Sequence, residues 1–129
     1  MASSTEPLNI TTFKAGGTIR KYRFVKIDDS NGTVSECDAN GRAIGIGQND
    51  ASVSTGELLE VALSGGGAKL EVAEAMGEGK MITSTSVGKG EICDAAGEWI
   101  GAICFSAGGA DGDVISVRIA QFQAHASDA

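Results

Sequence analysis

Two copies of one nine-residue run constrain this chain more than any other feature. Cys37-Asp38-Ala39-Asn40-Gly41-Arg42-Ala43-Ile44-Gly45 returns as Cys93-Asp94-Ala95-Ala96-Gly97-Glu98-Trp99-Ile100-Gly101, an offset of 56 residues (Cys93 against Cys37). Both copies read Cys-Asp-Ala-x-Gly-x-x-Ile-Gly. At the same offset, Gly56-Glu57-Leu58-Leu59-Glu60-Val61-Ala62-Leu63 falls on Gly112-Asp113-Val114-Ile115-Ser116-Val117-Arg118-Ile119. A self-match at one fixed period marks a duplicated structural unit. Two copies are too few for a solenoid and suit one compact domain with pseudo-symmetric halves.

The repeat has a folding logic. The glycine closing each turn, Gly41 or Gly97, is expected to take a positive φ without a Cβ penalty. Asp38 and Asp94 can bond back to turn amides. Ile44 and Ile100 are expected as equivalent core residues, and Gly45 and Gly101 as places where a facing strand or side chain comes close.

Short β-branched and aromatic runs separated by turn signals fill the rest of the chain. Thr18–Ile27, Thr33–Asp38, Arg42–Gln48 and Glu57–Leu63 are predicted strands, with turns at Asp28–Gly32 and Ala39–Gly41. Lys80–Ser84, Glu91–Asp94, Trp99–Phe105 and Asp113–Ile119 replay the order. Lys69–Ala75 fits either a short strand or a single helical turn. This spacing predicts an all-β fold, an antiparallel barrel or a sandwich built from two pseudo-repeats. Residues 17–120 form the domain, with halves at about 17–64 and 77–120. Residues 1–16 are expected as a loose, extended N-terminal arm and 121–129 as a polar tail.

A length of 129 residues allows one domain with a real core. The net charge of −7 argues against a general nucleic-acid binder. No apolar stretch approaches a membrane span, and the first residues lack the pattern of a signal peptide. Cys37, Cys93 and Cys104 are an odd set, expected as free, buried thiols in a chain made in a reducing compartment. Lys14, Arg20, Lys21, Arg23 and Lys26 are half of the ten cations, with no acid between Lys14 and Lys26. They predict either a solvated strand face or a docking face for an acidic partner.

No catalytic constellation assembles. Repeat-equivalent Cys37 and Cys93 favour packing over nucleophilic chemistry, and the only histidine, His125, lies in the tail. A zinc site lacks any Cys-x-x-Cys pair. Asp28-Asp29-Ser30-Asn31-Gly32 lacks the register of a calcium loop. Gly77-Glu78-Gly79-Lys80-Met81 is no phosphate loop, since no Ser or Thr follows the lysine. Lys80 beside Met81 does match part of a biotinyl or lipoyl attachment motif, so a small carrier domain is the competing class. Trp99 stands where the first copy has Ala43 and is expected in the core or an interface.

The second half reads Gly-Lys-Met-Ile-Thr, turn, Gly-Glu-Ile-Cys-Asp-Ala-Ala-Gly-Glu-Trp-Ile-Gly-Ala-Ile, Gly-rich loop, Gly-Asp-Val-Ile-Ser-Val-Arg-Ile. It resembles the closing run of capsid cement (head decoration) proteins of tailed bacteriophages, and Tyr22–Leu63 is similar to that family's first half. The resemblance covers roughly residues 14–119. It implies a small β-barrel or β-tulip that is made in the host cytoplasm and binds the outer surface of the mature head. Such a protein reinforces joints between major capsid subunits as a homotrimer or dimer, without catalytic residues, cofactor or metal. On that reading Lys14, Arg20, Lys21, Arg23 and Lys26 face acidic capsid surface, and Ile10, Phe13 and Trp99 lie in interfaces. Residues 1–16 extend over a capsid subunit or a neighbouring copy. A tail or fibre component on the same scaffold is the third class.

Overall fold

The computed structural model describes residues 9–28 and 32–124. Ten strands and no helix occupy them: β1 (Ile10–Lys14), β2 (Phe24–Ile27), β3 (Val34–Glu36), β4 (Gly45–Gly47), β5 (Leu58–Ala62), β6 (Gly67–Glu71), β7 (Met81–Ser84), β8 (Gly90–Ile92), β9 (Trp99–Cys104) and β10 (Val114–Gln123). All named pairings are antiparallel, in two five-stranded sheets of order β1-β5-β4-β2-β3 and β6-β10-β9-β7-β8. Adding five to each strand number of the first sheet yields the second. The duplication in sequence is therefore a duplication of topology, and the all-β expectation holds. The two sheets stay separate and are not joined into a closed barrel.

Three sequence boundaries move. The expected arm over 1–16 is, from Ile10 onward, edge strand β1, paired with β5 from Ile10↔Ala62 to Lys14↔Leu58. Its counterpart β6 resolves the ambiguity at Lys69–Ala75 in favour of a strand. Each repeat thus begins one strand earlier than the limits at 17 and 77, because ITTFK and GAKLE share no residue that a self-match could detect. The tail expected over 121–129 starts as strand, since β10 continues to Gln123; residues 1–8 and 125–129 lie outside the described residues.

The register between the halves also slips. Six residues, 28–33, separate β2 from β3 and only five, 85–89, separate β7 from β8, so β1 and β2 stand 57 residues before β6 and β7. In the repeated hairpin the positive φ falls on Asn40 (55°) in the first copy and Gly97 (92°) in the second, again 57 apart. Asn40, not Gly41, therefore takes the left-handed position, which asparagine tolerates better than most residues. Strand pairing agrees, with Val25↔Gly45 matched by Ile82↔Ala102. A slip of one residue exchanges the faces of a strand. Ile44 and Ile100 are accordingly not equivalent: Ile44 packs in a cluster inside the first repeat, Ile100 in one at the far side of the second. The structural counterpart of Ile100 is Ala43, and that of Trp99 is Arg42.

The core follows from this geometry. Phe24, Cys37 and Ala43 on one face of the first repeat pack against Leu70, Val72, Ile82 and Ile115 of the second. The equivalent face of the second repeat, Met81, Cys93 and Ile100, has no third repeat to cover it. Phe122 and Ala124 at the extended end of β10 pack there instead. That is why β10 runs ten residues where β5 runs five: its end caps the stack.

Candidate interaction surface

The basic stretch singled out from sequence does not form one face. Arg23 turns inward and is 4% exposed. Its guanidinium donates to the Val87 carbonyl at 2.9 Å and pairs with Glu71 at 3.4 Å across the seam between the repeats. Glu36 lies 3.9 Å away, and Glu71 also meets Lys89, which reaches Asp111 at 2.8 Å. Arg20, Glu36, Arg23, Glu71, Lys89 and Asp111 thus form one ionic chain that links the two halves. Arg23 is a structural cation and is not available to face a partner.

Arg20 and Lys26 reach solvent but are engaged. Arg20 grips Glu36 with Nη2 to Oε1 at 2.8 Å and Nε to Oε2 at 3.0 Å, and its backbone N–H donates to the same carboxylate. Lys26 Nζ donates to Asp38 at 2.7 Å, which raises the lysine pKa. Lys14, on β1, and Lys21 are exposed, and neither forms an ion pair with a described residue. Ile10 and Phe13 are both half-buried, packing into the central core and the first repeat's core respectively. Trp99 is half-buried too, with the Arg42 guanidinium 5.0 Å from its ring centroid.

The Arg20–Glu36 clamp carries a pH signature. Burial pushes the Glu36 carboxyl up, but hydrogen bonds from Arg20 outweigh it and hold the group below its ordinary value of 4.5. A carboxyl depressed on folding contributes stability that is fully present above its unfolded pKa and lost as pH falls through the folded one. Thermal melts of wild type should therefore drop between about pH 5 and pH 3, and Glu36→Gln should flatten that limb. An identical acid limb in the variant would remove Glu36 from the account.

The remaining candidates resolve simply. Cys37, Cys93 and Cys104 are free and buried, and burial raises each thiol, so none is a thiolate nucleophile at neutral pH. Among the described residues no group of His, Cys, Asp and Glu could hold a metal ion; His125 and most of the Asp28–Gly32 turn lie outside them. Lys80 is exposed, but it follows a turn between Met76, bridged to Gly108, and Met81, paired with Ile103. Those flanks do not pair with each other, so the hairpin tip of a carrier lysine is not formed.

Sequence reasoning missed Glu71, Lys89 and Gln48, which fasten the seam. One signal was present: Glu71 sits between Leu70 and Val72, both fully buried, and an acid in such a run needs a partner. Gln48 gave no signal, because its amide bonds the edge of β6 rather than a side chain.

Neither a protein-family model nor a curated protein matches the chain. Among solved structures it is similar to the N base of the head fiber gp8.5 in bacteriophage phi29, with a TM-score of 0.69 and 13% identity, covering 90% of this chain and 97% of that one. At that identity the likeness is one of fold.

Proposed function

We propose that the protein is a structural component of a bacteriophage virion, seated on the outside of the head, where it decorates the surface and reinforces contacts between major capsid subunits. The observation that carries this reading is the fold shared over 90% of the chain with a head-fibre base. The half-repeat resemblance to capsid cement proteins points the same way. The role is binding, without catalysis or cofactor, and the partners are the major capsid protein and further copies of this chain in a trimer. Many weak, repeated contacts become effective because each head offers many sites.

Lys14 and Lys21, two exposed cations of the basic stretch that no described carboxylate engages, supply the electrostatic part of that contact. Lys14→Glu with Lys21→Glu should weaken binding to purified heads about tenfold at low ionic strength and much less near 0.5 M salt, where screening is short-ranged. A loss independent of salt would remove this contribution. Electron cryomicroscopy of heads incubated with the protein tests the seat itself; density on tails alone, or no added density, would overturn the reading.

The head-fibre likeness favours a second version, in which the domain is the base of a projecting fibre. Compact knobs in the same images would support decoration, and radial shafts rising from the domain would support the fibre.

A further inference from the structure

The seam leaves one strand edge partly covered. β6 is an edge strand, and its ladder with β10 turns the backbone groups of Gly67, Lys69 and Glu71 away from that partner. Among the described residues, the first repeat caps two of the three. The Tyr22 carbonyl accepts from the Glu71 N–H at 2.8 Å. The Gln48 amide takes both groups of Lys69, donating to its carbonyl at 3.1 Å and accepting from its N–H at 3.2 Å. At Gly67 the edge opens into a cleft of about 500 Å³ walled by Tyr22, Phe105 and Val117.

The walls are apolar and one end is cationic. Phe105 is 59% exposed, the second most exposed of the described large hydrophobic residues after Leu58. Lys69 Nζ stands 5.9 Å from the Tyr22 ring centroid, and no described carboxylate pairs with it, although the chain carries a net charge of −7. A Cβ at Gly67 would have only the Val117 carbonyl oxygen within 4 Å, at 3.8 Å, so the floor of the cleft has room for an incoming side chain.

Comparison of the repeats isolates Tyr22. Its backbone is left-handed, with φ 51°, a conformation strained for a bulky residue. The structural counterpart, 57 residues on, is Gly79, with φ 82°. The second repeat meets the same backbone demand with glycine. The first keeps an aromatic ring there, and the ring forms the wall of the cleft.

We propose that this cleft is a docking groove for an extended segment of a partner protein, laid across the sheet face at the Gly67 end of β6. An apolar side chain of the segment inserts between Tyr22 and Phe105, and a carboxylate two residues away meets Lys69, the spacing at which side chains share a face of a strand. The groove uses residues apart from Lys14 and Lys21, so it stands or falls independently of the head-binding reading.

The test is a titration of the full chain with a blocked heptapeptide of Ser and Thr carrying Leu and Glu two residues apart, followed by amide NMR. A matched peptide with Lys for Glu and free glucuronate run as separate probes. The proposal expects saturable shifts at Gly67, Lys69 and Phe105, at least tenfold weaker affinity for the Lys peptide, and reversal of that preference in Lys69→Glu. Tyr22→Gly should keep its melting temperature, because Gly79 occupies the same conformation, and lose at least fivefold in affinity. If Tyr22→Gly melts early, the exposed Phe105→Ser and Lys69→Glu variants decide by the same criterion. No saturable shift at millimolar peptide, or binding unchanged in those variants, overturns the proposal. An equal response to glucuronate overturns it in favour of a small acidic ligand.

Discussion

Arg23→Leu is expected to destabilise the fold by about 3 kcal/mol, the scale for removing one partner of a buried ion pair. The guanidinium is the only described cation that bridges Glu36 of the first repeat, Glu71 of the second and the Val87 carbonyl. Its loss leaves Glu71, whose side chain is 9% exposed, with Lys89 at 3.5 Å as its remaining partner. Chemical denaturation at neutral pH measures the loss. Arg23→Met combined with Glu71→Met should recover much of it, because a buried pair replaced by apolar residues of similar volume leaves no stranded charge. A double variant no more stable than Arg23→Leu would show that the guanidinium acts through packing and its carbonyl bond rather than through charge. Either result separates Arg23 from the exposed Lys14 and Lys21, whose replacement should leave stability within about 0.5 kcal/mol.

The second large effect concerns Gly45 and Gly101, which sequence presents as a matched pair. A Cβ on Gly45 would collide with the carbonyl oxygen of Ala62 on the neighbouring strand and stand 2.9 Å from a Val61 methyl. A carbonyl held in a strand ladder has little room to retreat. Gly45→Ala should therefore cost about 3 kcal/mol, the upper end of the overpacking range. A Cβ on Gly101 would stand 2.5 Å from the edge of the Phe24 ring, a side chain that is 1% exposed but can be exchanged. Gly101→Ala should cost about 2 kcal/mol, and Phe24→Leu in the same chain should relieve part of it. Equal losses at both glycines, with no relief from Phe24→Leu, would contradict the assignment of different obstacles.

The repeated run disclosed two halves and a turn in each, over 39–41 and 95–97, although the left-handed residue of the first is Asn40 and not the expected Gly41. The periodicity of β2, β5, β7 and β10 was enough for an all-β fold. The closeness of approach at Gly45 and Gly101 was legible as well, though not what approaches. β1 and β6 stayed hidden as equivalents, since their pairing rests on backbone hydrogen bonds that any residue except proline supplies.

The candidate surface was less legible. Five cations on a short run look alike in sequence. Arg23 is distinguished by Glu71, 48 residues away, and by the Val87 carbonyl, 64 residues away, and Arg20 by Glu36 on β3. Whether a charge is free or engaged is decided by what folding brings beside it.

The sequence alone determined that this is a duplicated β domain with tight turns at equivalent places, because turn chemistry and apolar alternation are local. Only the tertiary structure decided which face each residue serves. A one-residue difference in turn length moves Ile44 and Ile100 to different clusters while leaving their sequence match intact, since side chains alternate with a period of two. It also decided that Arg23 fastens the seam and that the end of β10 takes the place of a third repeat. Both depend on the packing of one half against the other.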